Sequence, residues 1–100
     1  MNQSAADSRP RFTAKQGQYL AFIHAYKRLL GRSPAEAEMQ RFFQVTPPSV
    51  HQMVLSLEKS GLITRKPGAA RSIALRVDPA DLPELISSYG QLVKITVQSH

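Results

Sequence analysis

The sequence predicts a mainly α-helical domain carrying one small β-hairpin, and three observations predict it. Three amphipathic segments with helix start and stop chemistry follow one another within residues 12–60, a Pro-Gly turn between two short alternating runs comes after them, and a length of 100 residues leaves room for one core. With 42% hydrophobic and 20% charged residues, the composition is that of a folded domain and not of a disordered chain.

Residues 1–11 offer nothing to bury and are expected to form a flexible basic arm. Thr13-Ala14-Lys15-Gln16 is a T-x-x-Q capping box, so a helix starts there. Tyr19, Phe22, Ile23, Tyr26 and Leu30 then recur at helical spacing and form its core stripe. Lys27 and Arg28 suit the negative end of the dipole, and Gly31 can take the left-handed conformation that closes the helix. Ser33-Pro34-Ala35-Glu36 reads as a second box, S-x-x-E, with proline at the first helical position. The second helix turns Ala35, Met39, Phe42 and Phe43 inward and runs to Phe43 or Gln44.

A break of three or four residues, Gln44 to Pro47, precedes a third helix from about Pro48 to Ser60, for which Thr46 and Pro47 both qualify as the cap. Val50, Met53, Val54 and Leu57 form its apolar face, and Gly61 followed by Leu62 makes a Schellman stop. Its other face reads Ser49, Gln52, Ser56 and Lys59. Leu62 to Arg65 and Ser72 to Val77 are β-like runs, and Pro67-Gly68 between them suits the centre of a type II turn with a basic tip. Asp78 to Tyr89 reads as a capped turn and a short helix presenting Leu82, Leu85, Ile86 and Tyr89, with a strand expected through Val93, Ile95 and Val97.

Helix, helix, tight turn, helix, hairpin is the order of a winged helix-turn-helix with a three-helix core, here over residues 12–77, leaving 78–100 as a C-terminal extension. Thirteen Lys and Arg against seven Asp and Glu give a formal charge of +6, which favours a polyanionic partner. The distribution sharpens this: Arg9 to Arg32 holds six basic residues and no acid, and Lys59 to Arg76 holds five and no acid. Double-stranded DNA is therefore the expected partner, with the third helix in the major groove and the hairpin on the backbone or in the minor groove.

Gln52 has the amide needed to pair with both the N6 and N7 positions of adenine, whereas Ser49 and His51 either donate or accept and discriminate less. Lys59, Arg65, Lys66 and Arg71 are expected on phosphates, with Thr46, Ser56 and Ser72 completing the backbone contacts. The alternative is a winged helix that binds protein without binding DNA, because a fold does not fix its function. RNA is disfavoured, since the wing lacks the aromatic residues on which unpaired bases stack.

Other classes find little support. There is no cysteine, no pair of histidines among His24, His51 and His100 at metal-ligand spacing, no nucleophile with an evident base, and no glycine-rich phosphate loop. The chain is thus expected to be no enzyme, to need no metal or other cofactor, and to work in the cytoplasm without a membrane segment. A homodimer through residues 82–97 is a further expectation, which would match two half-sites about 10 base pairs apart or a multiple of that.

Phe-Thr-Ala-Lys-Gln opening the first helix, Gly-Arg-Ser-Pro-Ala-Glu-Ala-Glu-Met opening the second, and Gly-Ala-Ala-Arg-Ser-Ile-Ala-Leu in the wing resemble the DNA-binding domain of the LexA repressor family, from about Phe12 to Leu75. The resemblance implies a third helix that reads operator DNA, with Pro48, Ser49, His51 and Gln52 matching the family's base-reading stretch by position. Leu57 to Arg65 also resembles the MarR group of winged-helix regulators. LexA proteins carry a second domain whose Ser and Lys effect self-cleavage; these 100 residues are too few to include it, so autoproteolysis is not carried over. The tandem prolines and His51 depart from the family's recognition helix, so the resemblance does not carry over the identity of the operator.

Overall fold

A computed structural model describes residues 12–87 and 92–93 of the chain. Its elements are α1 (Ala14–Leu30), α2 (Glu36–Phe43), α3 (Pro47–Lys59), β1 (Ile63–Thr64), β2 (Ala74–Leu75) and a 3-10 turn (Pro79–Asp81). The basic arm expected at residues 1–11 lies outside the described residues.

Helix α1 begins as its box dictates. Thr13 Oγ1 accepts from the Gln16 N–H at 3.0 Å, and Gln16 Oε1 accepts in turn from the Thr13 N–H at 2.9 Å. At the other end Gly31 adopts φ 76° and donates to the Lys27 carbonyl at 2.8 Å. Tyr19, Phe22 and Ile23 are buried, as their spacing predicts. Leu30 is not: at 52% exposure it stands beyond the core, because the last turn of α1 overhangs the elements packed below it.

The start of α2 differs from the S-x-x-E reading. The cap is Ala35, which has no side-chain acceptor, and its N–H donates to Glu38 Oε1 at 2.6 Å. Ser33 is buried and its hydroxyl donates to the Ile73 carbonyl, while Pro34 is fully buried instead of opening the helix. A tertiary bond to the hairpin has therefore claimed the serine that local chemistry would have made a cap. Helix α2 ends at Gln44, which takes a left-handed φ of 55° and lets the chain turn sharply into α3.

Thr46 settles the choice of cap for α3, with Oγ1 accepting from the Ser49 N–H at 3.4 Å and both prolines inside the first turn. The C-terminal stop is a full Schellman motif. Gly61 at φ 75° donates to Glu58 at 3.0 Å, and Leu62 donates to Leu57 at 2.9 Å. Val50, Val54 and Leu57 are completely buried and meet Leu20, Ile23, Met39 and Ile63 in one core. Each such side chain contributes about 1.5–3 kcal/mol relative to exposure. Between α1 and α2 the core is aromatic: Tyr19 stacks on Phe43 at 4.0 Å and Phe22 meets Phe42 at 4.7 Å.

Strands β1 and β2 pair antiparallel in the register Ile63 with Leu75 and Thr64 with Ala74. Ile73 and Val77 point into the core while Ala74 and Arg76 face out, the alternation the sequence predicts. At the tip Gly68 has φ 75° and Ala69 donates to the Lys66 carbonyl at 3.1 Å, the geometry of a type II turn. The whole is a winged helix-turn-helix.

The extension corrects the short helix expected between Asp78 and Tyr89. Asp78 does cap a turn, accepting from the Ala80 N–H at 2.9 Å, but helical structure ends at Asp81. Leu82 is extended at ψ 145° because Pro83 follows it and excludes the helical region. Leu85 is then buried, Leu82 and Val93 pack on the core, and Ile86 pairs with Leu92 in an antiparallel bridge. Tyr89 and the strand expected around Ile95 and Val97 lie outside the described residues.

Two contacts with α1 hold this extension. The Gln18 side-chain amide donates to the Glu84 carbonyl and accepts from the Ile86 N–H, both at 2.8 Å, so that one side chain completes what a neighbouring strand would supply. One residue earlier, Gly17 leaves space for Phe12 and Pro83; a β-carbon there would lie 3.0 Å from each. This explains a glycine inside a helix, where it costs about 1 kcal/mol relative to alanine.

Candidate nucleic-acid interface

With Val50, Val54 and Leu57 turned inward, helical geometry sends Pro48, Gln52 and Lys59 straight outward and places Ser49 and Ser56 on one flank, His51 on the other. The first flank faces the start of α1. Gln16, having completed its cap, uses Nε2 to donate to Ser56 Oγ at 2.9 Å, which fixes α1 against α3. That bond brings Lys15 to the edge of an open groove of about 430 Å³ lined also by Pro48, Ser49, Gln52, Met53 and Ser56. On the opposite flank His51 Nδ1 lies 3.3 Å from both carboxylate oxygens of Glu36, in the first turn of α2.

The expected base-reading residues are all exposed, Pro48 and Gln52 outward with Ser49 and His51 on opposite flanks of α3. Ser49 Oγ is hydrogen-bonded to Thr46 Oγ1 at 2.9 Å, so both hydroxyls are already oriented by one another. Gln52 is exposed and lines the groove.

The expected backbone contacts separate into two groups. Lys59 and Lys66 are exposed and form no ion pair with another described residue. Arg65 instead donates from Nε to Glu58 at 3.1 Å. Ser72 ties the wing tip together, accepting from the Lys66 N–H at 2.9 Å and lying 2.9 Å from the Ala69 carbonyl that its hydroxyl reaches. Arg71 is the most committed. At a left-handed φ of 57° it turns back from the hairpin, and Nη1 donates to the Ser33 carbonyl at 3.2 Å while Nη2 donates to Glu38 at 3.1 Å. A further contact at 3.4 Å reaches the Tyr26 hydroxyl.

Glu38 is the hub of this arrangement. Its carboxyl is held below the usual carboxylate range first by the Ala35 N–H and then, against partial desolvation, by Arg71 and Arg41. The wing is thereby pinned to α1 and α2 through charge-assisted bonds.

Lys15 lines the same groove as Gln52, although the sequence does not single it out as a site residue. The sequence places it two residues after the Thr13 cap and among the six basic residues from Arg9 to Arg32, but nothing local says that this turn abuts α3. Among the described residues there is no cluster of three or more His, Asp or Glu able to hold a metal, and no helix long and apolar enough to cross a membrane.

A three-helix body with a hairpin pinned beside an exposed polar helix is an arrangement shared by many regulators, and residues 10–72 match the family model described as the LexA DNA binding domain. The chain belongs to the LexA DNA-binding domain family. It is 42% identical over 65 residues to the LexA repressor of Thermosipho melanesiensis, covering 65% of this chain and 33% of that protein. It is 43% identical over 63 residues to the LexA repressor of Thermosipho africanus, covering 63% and 32%. With the LexA repressor of Bartonella quintana it shares 36% identity over 76 residues, covering 75% and 30%. The chain spans about a third of the length of these curated LexA relatives. The match to the LexA family model contains α1, α2, α3 and the hairpin tip, and it ends before β2.

Proposed function

We propose that this chain binds double-stranded DNA sequence-specifically as the DNA-binding domain of a transcriptional repressor, with no catalytic step of its own. The observation that carries the reading is the exposed face of α3, where Ser49 and Gln52 project from a helix anchored by Val50, Val54 and Leu57. An α-helix with short polar side chains outward and a packed apolar face inward fits the major groove. Gln52 reads a base edge, assisted by Pro48, Ser49 and His51. Lys15 lines the groove beside that face, Lys59 lies on it and Lys66 is exposed next to the wing tip, so three elements each carry an exposed cation. They supply phosphate contacts, to which Thr46, Ser56, Arg65 and Ser72 are secondary, while Arg71 sets the angle of the wing.

Residues 12–77 with the packed extension act as one unit in this proposal, and a cytoplasmic location follows from the partner. A homodimer through residues 82–97 belongs to the same reading; within that stretch Ile86 and Leu92 are exposed at 46% and 45%. The test is selection from a random duplex library by the purified protein, then titration of enriched and scrambled duplexes at two salt concentrations. A motif bound far more tightly than its scramble supports the proposal, and a palindromic motif supports the dimer. Absence of binding at low salt favours the protein-docking alternative.

A further inference from the structure

We infer that Glu36 selects the tautomer of His51 and thereby decides which bases that histidine accepts; the inference rests on α3 being the DNA-reading helix. The Nδ1 atom of His51 is 3.3 Å from Oε1 and 3.3 Å from Oε2 of Glu36, so the carboxylate is centred on a single ring nitrogen. An ionised carboxylate only accepts hydrogen bonds. The proton of a neutral His51 therefore sits on Nδ1, and Nε2, on the far edge of the ring, carries a lone pair. An unrestrained imidazole favours the opposite arrangement, with the proton on Nε2, so the assignment is imposed by Glu36 and not intrinsic to histidine.

The consequence for recognition follows from the chemistry of base edges. A lone pair at Nε2 accepts from the exocyclic amino groups of adenine N6 or cytosine N4. It is repelled by the O6 and N7 acceptors of guanine and finds no donor on thymine. Glu36 is well placed to hold this state. It lies in the first turn of α2, where the helix dipole favours a carboxylate, and α2 is fixed to α3 through a three-residue turn, Gln44 to Thr46. Both side chains are partly exposed, His51 at 49% and Glu36 at 38%, so the ring edge bearing Nε2 is open to a ligand. Glu36 is in this sense a positioning residue that never touches the duplex.

The experiment has two readouts at about pH 8.5, above the range in which imidazole ordinarily titrates. Long-range nitrogen–proton correlation spectra report the tautomer of His51 in the wild type, in Glu36→Ala and in Glu36→Gln. In parallel, duplex selection with wild type and His51→Ala identifies the base pair that loses preference with the histidine, and the same position is then measured in the Glu36 variants. The expected result in the wild type is the Nδ1–H tautomer and a preference at that position that is lost when the exocyclic amino group of its base pair is removed, purine replacing adenine or 2-pyrimidinone replacing cytosine. Glu36→Ala is expected to shift the ring to Nε2–H and to reduce the preference there about three- to ten-fold, with binding to scrambled duplex unchanged. Glu36→Gln, whose amide can accept or donate, should fall between the two. An unchanged tautomer in Glu36→Ala, a wild-type preference that survives removal of that amino group, or an equal loss on all duplexes overturns the inference while leaving DNA reading intact. Failure to select any motif overturns both.

Discussion

Arg71 Nη2 donates to Glu38 Oε2 at 3.1 Å, joining the returning arm of the hairpin to the first turn of α2 across 33 residues of chain. Because the same guanidinium also serves Ser33 and Tyr26, the wing is fixed to two helices by one side chain. Arg71→Ala is expected to lower the urea midpoint and weaken DNA binding, with the salt slope of binding unchanged. A phosphate ligand would behave differently, its removal reducing that slope by about one unit. Titration of wild type and variant at four salt concentrations distinguishes the two roles.

Glu38 makes the wing attachment sensitive to acid. The Ala35 N–H, with Arg71 and Arg41, holds its carboxyl below the usual carboxylate range in the folded chain, so the unfolded chain binds the proton more readily. Stability from this group is present above the unfolded value and is lost as pH falls through the folded one. Urea midpoints measured between pH 7 and pH 3 should therefore decline more steeply below pH 4.5 in the wild type than in Glu38→Gln, and parallel profiles would refute the assignment.

Lysines and Gln52 are expected to fail in different ways. Lys15→Ala and Lys66→Ala should weaken binding to every duplex and each reduce the salt slope by about 0.9. Gln52→Ala should instead narrow the gap between selected and scrambled DNA by about 1–3 kcal/mol. Titration of both duplexes separates the outcomes, and equal loss on both would make Gln52 a positioning residue.

Gly17→Ala tests the seat of the extension with a prediction opposite in sign to helix propensity. Alanine would favour the helix by about 1 kcal/mol. The added methyl, 3.0 Å from the Phe12 ring and from Pro83, must displace both, and overpacking of this kind costs about 1–3 kcal/mol. A lower melting temperature for the variant is expected; a higher one would show that the extension yields freely.

What was legible in the sequence was chemistry confined to neighbours along the chain. Thr13 with Gln16, Gly31, Gly61 with Leu62, and Pro67 with Gly68 each act within a turn, and each does what its residue type requires. The errors arose where a distant partner outbid a near one. Ser33 left its capping role for the Ile73 carbonyl, 40 positions away, and Ala35 took its place with help from Glu38. The surroundings of Lys15 and Arg71 escape local reading for the same reason. The first comes to lie beside α3 through the Gln16–Ser56 bond, and the second, though exposed, is bonded to Glu38. Leu82 shows a different failure, since Pro83 was visible and sufficient to end the helix.

The paired prolines that open α3 alter how the domain would respond to its ionic surroundings. A helix start ordinarily presents spare N–H groups to a phosphate, but Pro47 and Pro48 have none to give. The next two, on Ser49 and Val50, are directed to Thr46. The leading tip of the helix is therefore an apolar wedge and not an electrostatic anchor, and whatever it touches on a duplex owes little to counterion release. Rising salt should strip the lysine contacts that hold any DNA while sparing those at the tip, leaving a protein that becomes more selective as it binds more weakly.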